Sequence, residues 1–362
     1  MKKRLLVLFF LLITHPVRAD IVWAVAGPYT GSVAAWGLSQ QAGIKQAVED
    51  LNASGGINGQ KITLKFYDDV CDPKQAVAIA NKIVSDNVRF SLHGTCSAAS
   101  IAALKTYVDE GVLVFNSMAS NPKVTDEGGP YMFRAMYRDD RAAVVLADEF
   151  LKHERNTKLA IIHDKSAYGQ GVAEFVRDRL NKAGFKEIMF EPYDPANHDY
   201  SVLVTRLKQA GAEAVFVGGY PVEAAMITRQ LREAGSNIKI FAGDLSEPDY
   251  WRIAGKTGEG AMFVFTSDPR KEPKAKEIVA KLEKAGVTVD GYTLYAYAAA
   301  QVLAQAMNKA ASTDPAKVAA IVHQDEFDTI LGKWTFDDKG DVRNIREVMY
   351  RWHDGKFAET GE

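Results

Sequence analysis

Hydroxyl-bearing side chains follow two successive predicted strands in the stretch 88–120. The first strand ends in a turn that carries Ser97, and the second ends in a turn that carries Ser117 and Ser120. An apolar-periodic segment between them predicts a helix that begins at Ser97, so the stretch is typical of a βαβ unit. Both turns of a parallel βαβ unit lie at one edge of the sheet, where open α/β folds bind their ligands.

These two turns contain neutral hydrogen-bond donors and neither Lys nor Arg. The unpaired N–H groups in the first turn of the Ser97 helix attract an anion. The residue types therefore predict a site for a small carboxylate that is held by hydroxyls and backbone N–H groups rather than by a cation.

Acidic and aromatic side chains follow further predicted strands. With the hydroxyls they describe a pocket for a zwitterion: neutral donors bind its carboxylate, an acid binds its ammonium, and aromatic faces cover an apolar side chain. Each residue taken singly also fits a structural role as an N-cap, a turn residue or core. Their shared position favours binding by the acids Asp68, Asp69 and Asp244 and the aromatics Tyr29, Trp36, Tyr168 and Tyr220.

The elements that position these residues alternate between strand and helix from Asp20 to about Thr266. Three helices then follow without clear intervening strands, near 275–285, 293–311 and 315–322, and the C-terminal segments 334–336 and 348–352 predict hairpin strands with a Gly-containing turn at 337–340. Nine or more strands are more than a single sheet usually contains. The predicted fold class is therefore α/β with two doubly wound, Rossmann-like lobes. The chain has no low-complexity linker, which predicts short ordered crossings and a hinge.

The N-terminus of this 362-residue chain predicts export. Lys2, Lys3 and Arg4 precede an apolar run, and residues 17–19 resemble a cleavage site for a signal peptide of residues 1–19. An uncleaved anchor is the alternative, although the run is shorter than the roughly 20 apolar residues of a membrane helix. The sequence has no cysteine near the cleavage point to which a lipid could be attached, so a freely soluble exported protein is expected.

Removal of the leader would take 4 of the 44 basic residues and leave 40 against 46 acidic ones, a net charge of −6. This acidic balance argues against nucleic acid as a partner. Cys71 and Cys96 are the only cysteines, and each follows a predicted strand. In an oxidising compartment a disulfide between them would fix the turn that carries Ser97, and the absence of a C-x-x-C pattern favours this structural role over redox chemistry.

Signatures of enzymes are absent from the sequence. It contains no G-x-S-x-G elbow, no P-loop and no H-E-x-x-H pattern, and the glycines at 169 and 171 lack a third glycine at Glu174. We therefore expect neither catalysis nor a cofactor nor a metal. An exported α/β enzyme remains an alternative that turnover of a bound compound would reveal.

Several motifs resemble those of the periplasmic leucine/isoleucine/valine-binding proteins. They are the segments 55–59, 67–82, 163–171, 218–220 and 336–341. The resemblance covers nearly the whole mature chain. It implies a type I substrate-binding protein of an ABC importer, in which two α/β lobes joined by three crossovers close on a neutral, branched-chain amino acid and present it to membrane permease subunits.

The resemblance also implies roles for individual residues. Ser97 and Ser120 match hydroxyls that bind the ligand carboxylate, and Met118 stands where a main-chain carbonyl receives the ammonium. Asp244 occupies the place of the acidic ammonium partner, and Tyr168 and Tyr220 match aromatics of the second lobe. The family's disulfide matches Cys71 and Cys96.

Three positions depart from the family pattern and bear on the ligand's side chain. Trp36 stands where tyrosine is common, Thr95 where an aliphatic residue lines the pocket, and Tyr292 where phenylalanine occurs. A γ-amino acid or an aromatic acid is therefore an alternative ligand, and a sensor that signals to a membrane receptor is an alternative role.

The resemblance places the lobe boundaries near the predicted crossings. Lobe one is expected to comprise residues 20–138 with 268–345, and lobe two residues 139–267 with 346–362. A monomer is expected.

Overall fold

The structure is a computed structural model that describes residues 19–360. Residues 1–18 of the predicted signal peptide lie outside the described residues. None of the described helices combines the length and the hydropathy needed to cross a bilayer.

The first part of the chain alternates strictly between strand and helix, as predicted. Asp72 caps the second helix by accepting a hydrogen bond from the Gln75 N–H, and Pro73 supplies a preset first helical residue. The elements are β1 (Ile21–Gly27), α1 (Ala34–Ala53), β2 (Ile62–Asp68), α2 (Pro73–Ser85), β3 (Phe90–His93), α3 (Ser97–Glu110), β4 (Leu113–Asn116), α4 (Lys123–Asp126) and β5 (Met132–Arg134).

The five strands form one parallel sheet in the order β2-β1-β3-β4-β5. Parallel sheets require cover on both faces, and β1 shows how its residues divide between them. Trp23 and Val25 join the core beneath α1, whereas Ala24 and Ala26 join the core beneath α2 and α3. The period-2 alternation of side chains therefore builds two cores from one strand.

The alternation continues through a second run of elements. These are α5 (Asp139–His153), β6 (Leu159–His163), α6 (Gly169–Lys182), β7 (Met189–Pro192), α7 (Ser201–Gln209), β8 (Ala214–Gly218), α8 (Pro221–Glu233), β9 (Lys239–Ala242), α9 (Pro248–Ala254) and β10 (Met262–Thr266). The remaining elements are α10 (Ala275–Lys284), α11 (Gly291–Ala310), α12 (Pro315–Gln324), β11 (Phe327–Thr329), β12 (Gly332–Trp334), β13 (Glu347–His353) and β14 (Lys356–Glu359).

The second sheet has seven strands in the order β14-β13-β10-β9-β8-β6-β7. Strands β6 to β10 run parallel, and the last two strands of the chain add an antiparallel edge. The predicted C-terminal strands and the Gly-containing turn at 337–340 form, but the two predicted strands do not pair with each other. The turn, in which the Gly340 N–H donates to the Asp337 carbonyl at 3.0 Å, closes an isolated bridge between Phe336 and Val342, while β12 pairs with β11 and β13 pairs with β14.

Helix α11 returns to the first sheet and packs against α1. A Cβ at Gly43 would lie 2.0 Å from the Thr293 carbonyl oxygen, so only glycine allows the two helices to approach this closely. The chain therefore crosses between the two sheets three times, after β5, after β10 and after β12. The predicted fold class, two doubly wound α/β lobes joined by a three-segment hinge, is confirmed.

A buried ion pair joins two of these crossings. The Arg134 guanidinium donates to Asp341 at 2.7 Å, and these side chains are 0% and 2% exposed. Arg138 donates to the other Asp341 oxygen at 2.8 Å. Burial opposes ionisation of Asp341, but the two arginines outweigh it and hold the pKa of this carboxyl below its usual value.

We predict that Asp341→Asn lowers the free energy of unfolding by roughly 3 kcal/mol, because it removes the main counter-charge of the buried Arg134. Urea denaturation at pH 7 measures the difference. The wild-type advantage should persist above the usual pKa of aspartate and disappear only as the pH falls through the lowered value.

The matched control is Lys339→Gln, which removes the exposed pair with Asp126 and should change stability by less than about 1 kcal/mol. A loss for Asp341→Asn no larger than that of the control would contradict the role assigned to the buried pair.

Candidate functional site

The two hydroxyl-bearing turns meet at the edge of the first sheet, as predicted. Strands β3 and β4 are parallel neighbours, and the Met118 and Ala119 N–H groups both donate to the Gly94 carbonyl at 3.0 Å. The Asn116 side chain accepts from the same two N–H groups at 3.1 and 2.9 Å. The turn is therefore rigid, and no donor among residues 19–360 reaches the Met118 carbonyl oxygen.

Ser97 is the first residue of α3, and Cys96 rather than Ser97 is its N-cap. The Ser97 side chain is 2% exposed, and its hydroxyl accepts a hydrogen bond from the Asn121 N–H at 3.3 Å. This hydroxyl retains its own proton for a further acceptor. The Cys71–Cys96 disulfide, with a Cα–Cα distance of 5.6 Å, confirms the predicted pairing and ties this turn to the end of β2.

Thr95 lies against α1 rather than in an apolar setting. Its hydroxyl donates to the Gln40 side chain at 3.4 Å, and Gln40 in turn donates to the Ser117 hydroxyl at 3.2 Å. All three side chains are buried. Gln40, which the sequence did not single out, thus links the two turns.

Aromatic side chains from both sheets form one cluster. Trp36 on α1 lies 5.4 Å from Tyr220 and 5.5 Å from Tyr292, and Tyr220 lies 5.3 Å from Tyr168, measured between ring centroids. Tyr168 and Tyr220 precede α6 and α8 of the second sheet, whereas Trp36 and Tyr292 belong to helices of the first. The structure brings these four predicted residues together.

Three further contacts connect the lobes directly. The Asn121 side chain donates to the Ala167 carbonyl at 2.6 Å, and the Tyr292 hydroxyl donates to Asp244. The Tyr220 hydroxyl lies 3.9 Å from the Cys71 sulfur. The lobes are therefore closed on each other in this structure.

Asp244 follows β9 and is 1% exposed. One carboxylate oxygen accepts from Tyr292 and the other accepts from the Ser246 N–H at 2.7 Å. Burial raises the pKa of Asp244 to about 6, because these hydrogen bonds only partly offset the loss of hydration.

Asp139 is a second buried acid near the site, and it was not predicted from the sequence. It is the first residue of α5, is 1% exposed, and has one carboxylate oxygen without a hydrogen-bond partner. Burial raises the pKa of Asp139 to about 7, against a hydrogen bond from Ser120 and the charge of Arg134. Its N–H donates to the Ser120 carbonyl at 2.9 Å, so Asp139 lies beside the second hydroxyl-bearing turn.

The other predicted acids have structural roles. Asp68 accepts from the Tyr29 N–H at 2.9 Å and from the Thr30 hydroxyl at 2.7 Å. Asp69 pairs with the buried His93 ring at 2.9 Å and accepts from the Cys71 N–H. Of the three predicted acids, only Asp244 contacts the aromatic cluster among the described residues.

The arrangement has two chemically different ends. One end offers the Ser97 hydroxyl and the N-terminus of α3, which bind a carboxylate. The other offers the buried carboxyl group of Asp244, which accepts from Tyr292 of the aromatic cluster and makes no ion pair among residues 19–360. Within the same residues no group of three or more His, Cys, Asp and Glu is placed to hold a metal ion.

The chain matches a known protein family and several of its members. A family model described as periplasmic binding protein matches residues 21–355. The chain is 40% identical over 353 residues to an amino acid binding protein of Pseudomonas aeruginosa, with 96% of this chain and 94% of that protein covered. It is 39% identical to Leu/Ile/Val-binding protein homolog 1 of Brucella suis, with 94% and 93% covered.

Solved structures share the fold. A leucine-binding protein from Thermotoga maritima superposes with a TM-score of 0.85 at 24% identity, covering 94% of this chain and 98% of that one. A solute-binding protein of an ABC transporter from R. palustris, in complex with benzoate, gives a TM-score of 0.85 at 16% identity, covering 95% and 96%.

We predict that Asp139→Asn stabilises the ligand-free protein at pH 8 but not at pH 5. Since the folded-state pKa is raised, the protonated carboxyl favours the folded state at low pH, and this advantage is lost as the pH rises through about 7. The melting temperature of the variant, measured after refolding from urea to remove bound ligand, should exceed that of the wild type at pH 8 by roughly 2 °C, which corresponds to about 1 kcal/mol.

Asp140→Asn is the matched control, because this neighbouring acid is 36% exposed and pairs with Arg138. Equal melting-temperature differences at pH 5 and pH 8 for Asp139→Asn would contradict the uncompensated burial of this carboxyl.

Proposed function

The chain belongs to the periplasmic binding protein family, and we propose that it captures a neutral, branched-chain amino acid between its two lobes and delivers it to the permease of an ABC importer. It is a substrate-binding protein and not an enzyme. The observation that carries the ligand class is the buried carboxyl of Asp244 at the aromatic cluster, in a cleft whose other lobe presents the hydroxyl-bearing turns. A zwitterion satisfies both ends at once.

The ligand carboxylate binds first to lobe one in this proposal. Ser97 and Ser120 supply hydroxyls, and the α3 N-terminus supplies backbone N–H groups. The Met118 carbonyl accepts from the ligand ammonium. Tyr168, Tyr220 and Asp244 complete the site when lobe two closes, so the ligand shifts the population towards the closed form.

The aromatic cluster and Thr95 set the preference for the ligand's side chain. A relative that shares 39% identity over 344 residues is named as a homolog of Leu/Ile/Val-binding proteins. The large side chains of Trp36 and Tyr292 limit the space for the apolar side chain of the ligand. The Thr95 hydroxyl already donates to Gln40. A simple aromatic acid fits less well, because it brings no ammonium group to Asp244.

We place the lobe boundaries at residues 20–138 with 268–345 and at 139–267 with 346–362. Two observations support them. Helix α10 lies beside α1, where Lys281 pairs with Asp50, and Glu347 begins the strand that joins the second sheet. The proposed cleavage of a signal peptide near Ala19 releases the mature protein into the periplasm.

A thermal-shift screen of purified residues 20–362 tests this function. The ligands are the common amino acids, γ-aminobutyrate and benzoate, and the protein is first refolded from urea to remove bound ligand. A ligand at 100 times its dissociation constant stabilises the folded state by about 2.7 kcal/mol. Shifts with leucine, isoleucine or valine support the proposal, whereas shifts confined to benzoate or the absence of any shift would overturn it.

We predict that Ser97→Ala weakens amino acid binding by roughly 1.5 to 3 kcal/mol, because it removes a hydrogen bond to a charged carboxylate. Isothermal titration calorimetry measures the loss. Ser100→Ala is the matched control, since Ser100 is also buried in α3 but its hydroxyl has no hydrogen-bond partner. Equal affinities for the two variants would refute the carboxylate assignment.

Asp244→Asn tests the opposite end of the site. The variant keeps an oxygen that accepts from Tyr292 but loses the negative charge, so we expect the amino acid affinity to fall at least tenfold. Asp249→Asn, which changes an exposed acid of α9 that pairs with Arg252, serves as the control. Unchanged affinity in Asp244→Asn would move the ammonium site elsewhere.

A further inference from the structure

A cavity of about 560 Å³ lies beside the amino acid site, and its lining includes Ser246, whose N–H donates to Asp244. One side is formed by lobe-two elements from α9, β13 and β14, and the other by residues 268–270 and 288–291, which lead into α10 and α11. Its walls are mainly aromatic, and the rings belong to Trp251, Phe265, Tyr350, Trp352 and Phe357. Its volume lies within the range of small-molecule sites.

The aromatic walls are held by their own contacts. Trp251 and Trp352 are stacked with centroids 5.4 Å apart, and Phe357 meets Trp352 edge-on at 5.1 Å. The polar atoms of two rings are already bonded, since the Trp352 N–H donates to the Leu245 carbonyl at 3.0 Å and the Tyr350 hydroxyl donates to the Thr266 carbonyl at 2.8 Å. The rings therefore offer apolar faces to an occupant.

The charges at the cavity leave one cation available. Arg270 pairs with Asp268 at 2.9 Å, and Arg252 pairs with an acid of its own helix at 3.0 Å. Asp290 accepts hydrogen bonds at both carboxylate oxygens, from Thr293 and from Ser39. Lys356 is exposed at the cavity, and its ammonium group makes no hydrogen bond or ion pair within residues 19–360.

We propose that this cavity is a second binding site and that it takes a small aromatic carboxylate of one or two rings. The stacked tryptophans cover the planar body of the ligand, and the Lys356 ammonium pairs with its carboxylate. An anion is selected over a neutral or cationic analogue because Lys356 is the cation that remains unpaired.

The second site is coupled to the first through Phe265. This ring lines the cavity and lies 5.1 Å from the Tyr292 ring, whose hydroxyl donates to Asp244 in the amino acid site. A Cβ at Gly291 would lie 2.6 Å from the Phe265 ring, so the start of α11 packs closely against this ring. An occupant that holds Phe265 and residues 288–291 in place therefore favours the closed arrangement of Tyr292.

Direct binding is tested with 2-naphthoate as the probe, by isothermal titration calorimetry of residues 20–362 without any amino acid. We expect one molecule per chain, an at least fivefold weaker affinity in Lys356→Gln, and loss of binding in Thr288→Trp, in which a large side chain replaces an exposed residue at the cavity. Ser97→Ala, which changes the amino acid site, should bind 2-naphthoate with an affinity within twofold of the wild type.

Three results would overturn the second site: no binding of 2-naphthoate, loss of its binding in Ser97→Ala, or unchanged binding in both Lys356→Gln and Thr288→Trp. The charge assignment is tested with 2-naphthalenemethanol and 2-naphthylmethylamine. Both should bind at least fivefold more weakly than 2-naphthoate, and equal affinity of either one would overturn the assignment of an anionic ligand.

The coupling rests on the proposed function and is measured separately. The amino acid found in the thermal-shift screen should bind more tightly in the presence of 2-naphthoate, and 2-naphthoate should gain by the same factor from the amino acid. Independent binding would overturn the coupling alone. Failure of every amino acid to bind would count against the proposed function and leave the titration of 2-naphthoate unaffected.

Discussion

The closed cleft contains two buried carboxyl groups, and that of Asp244 pairs with no cation among residues 19–360. Asp139 and Asp244 are each 1% exposed, and burial raises the pKa of Asp139 to about 7 and that of Asp244 to about 6. Burying a charge is costly unless an opposite charge accompanies it, so closure of the lobes around ionised acids requires a cation. A ligand ammonium supplies that charge only when the cleft is occupied, which makes closure depend on the ligand.

The rest of the fold holds the other end of the ligand. Asn121 is the centre of this arrangement: its N–H donates to Ser97, its side chain donates to Ala167 of lobe two, and its carbonyl accepts from Arg134 at 2.8 Å. Arg134 is in turn paired with Asp341 on another crossing of the hinge. The carboxylate-binding turn, the lobe contact and the hinge are thus parts of one hydrogen-bonded network, in which the bond from Asn121 to Ala167 crosses between the lobes.

Much of this could be predicted from the sequence, because strand-end position in an alternating α/β chain determines which residues meet. Ser97, Asp244 and the cleft aromatics were found in this way, and the disulfide followed from two cysteines at one edge. Asp139 could not be found, since an acid between Arg138 and Asp140 at a helix start has the pattern of an exposed N-terminal turn. The partners of the C-terminal strands were not predicted correctly, because short strands take their partners from the sheet they join rather than from local spacing.

Small-angle X-ray scattering of the initially ligand-free protein with three related compounds tests whether closure of the lobes requires the ligand's ammonium group. Leucine carries both charges, 3-methylbutylamine lacks the carboxylate, and 4-methylpentanoate lacks the ammonium group. The radius of gyration should fall with leucine and stay at the ligand-free value with 3-methylbutylamine or 4-methylpentanoate. An equal contraction with 4-methylpentanoate would contradict this requirement, because the lobes would then close on the buried acids without a cation.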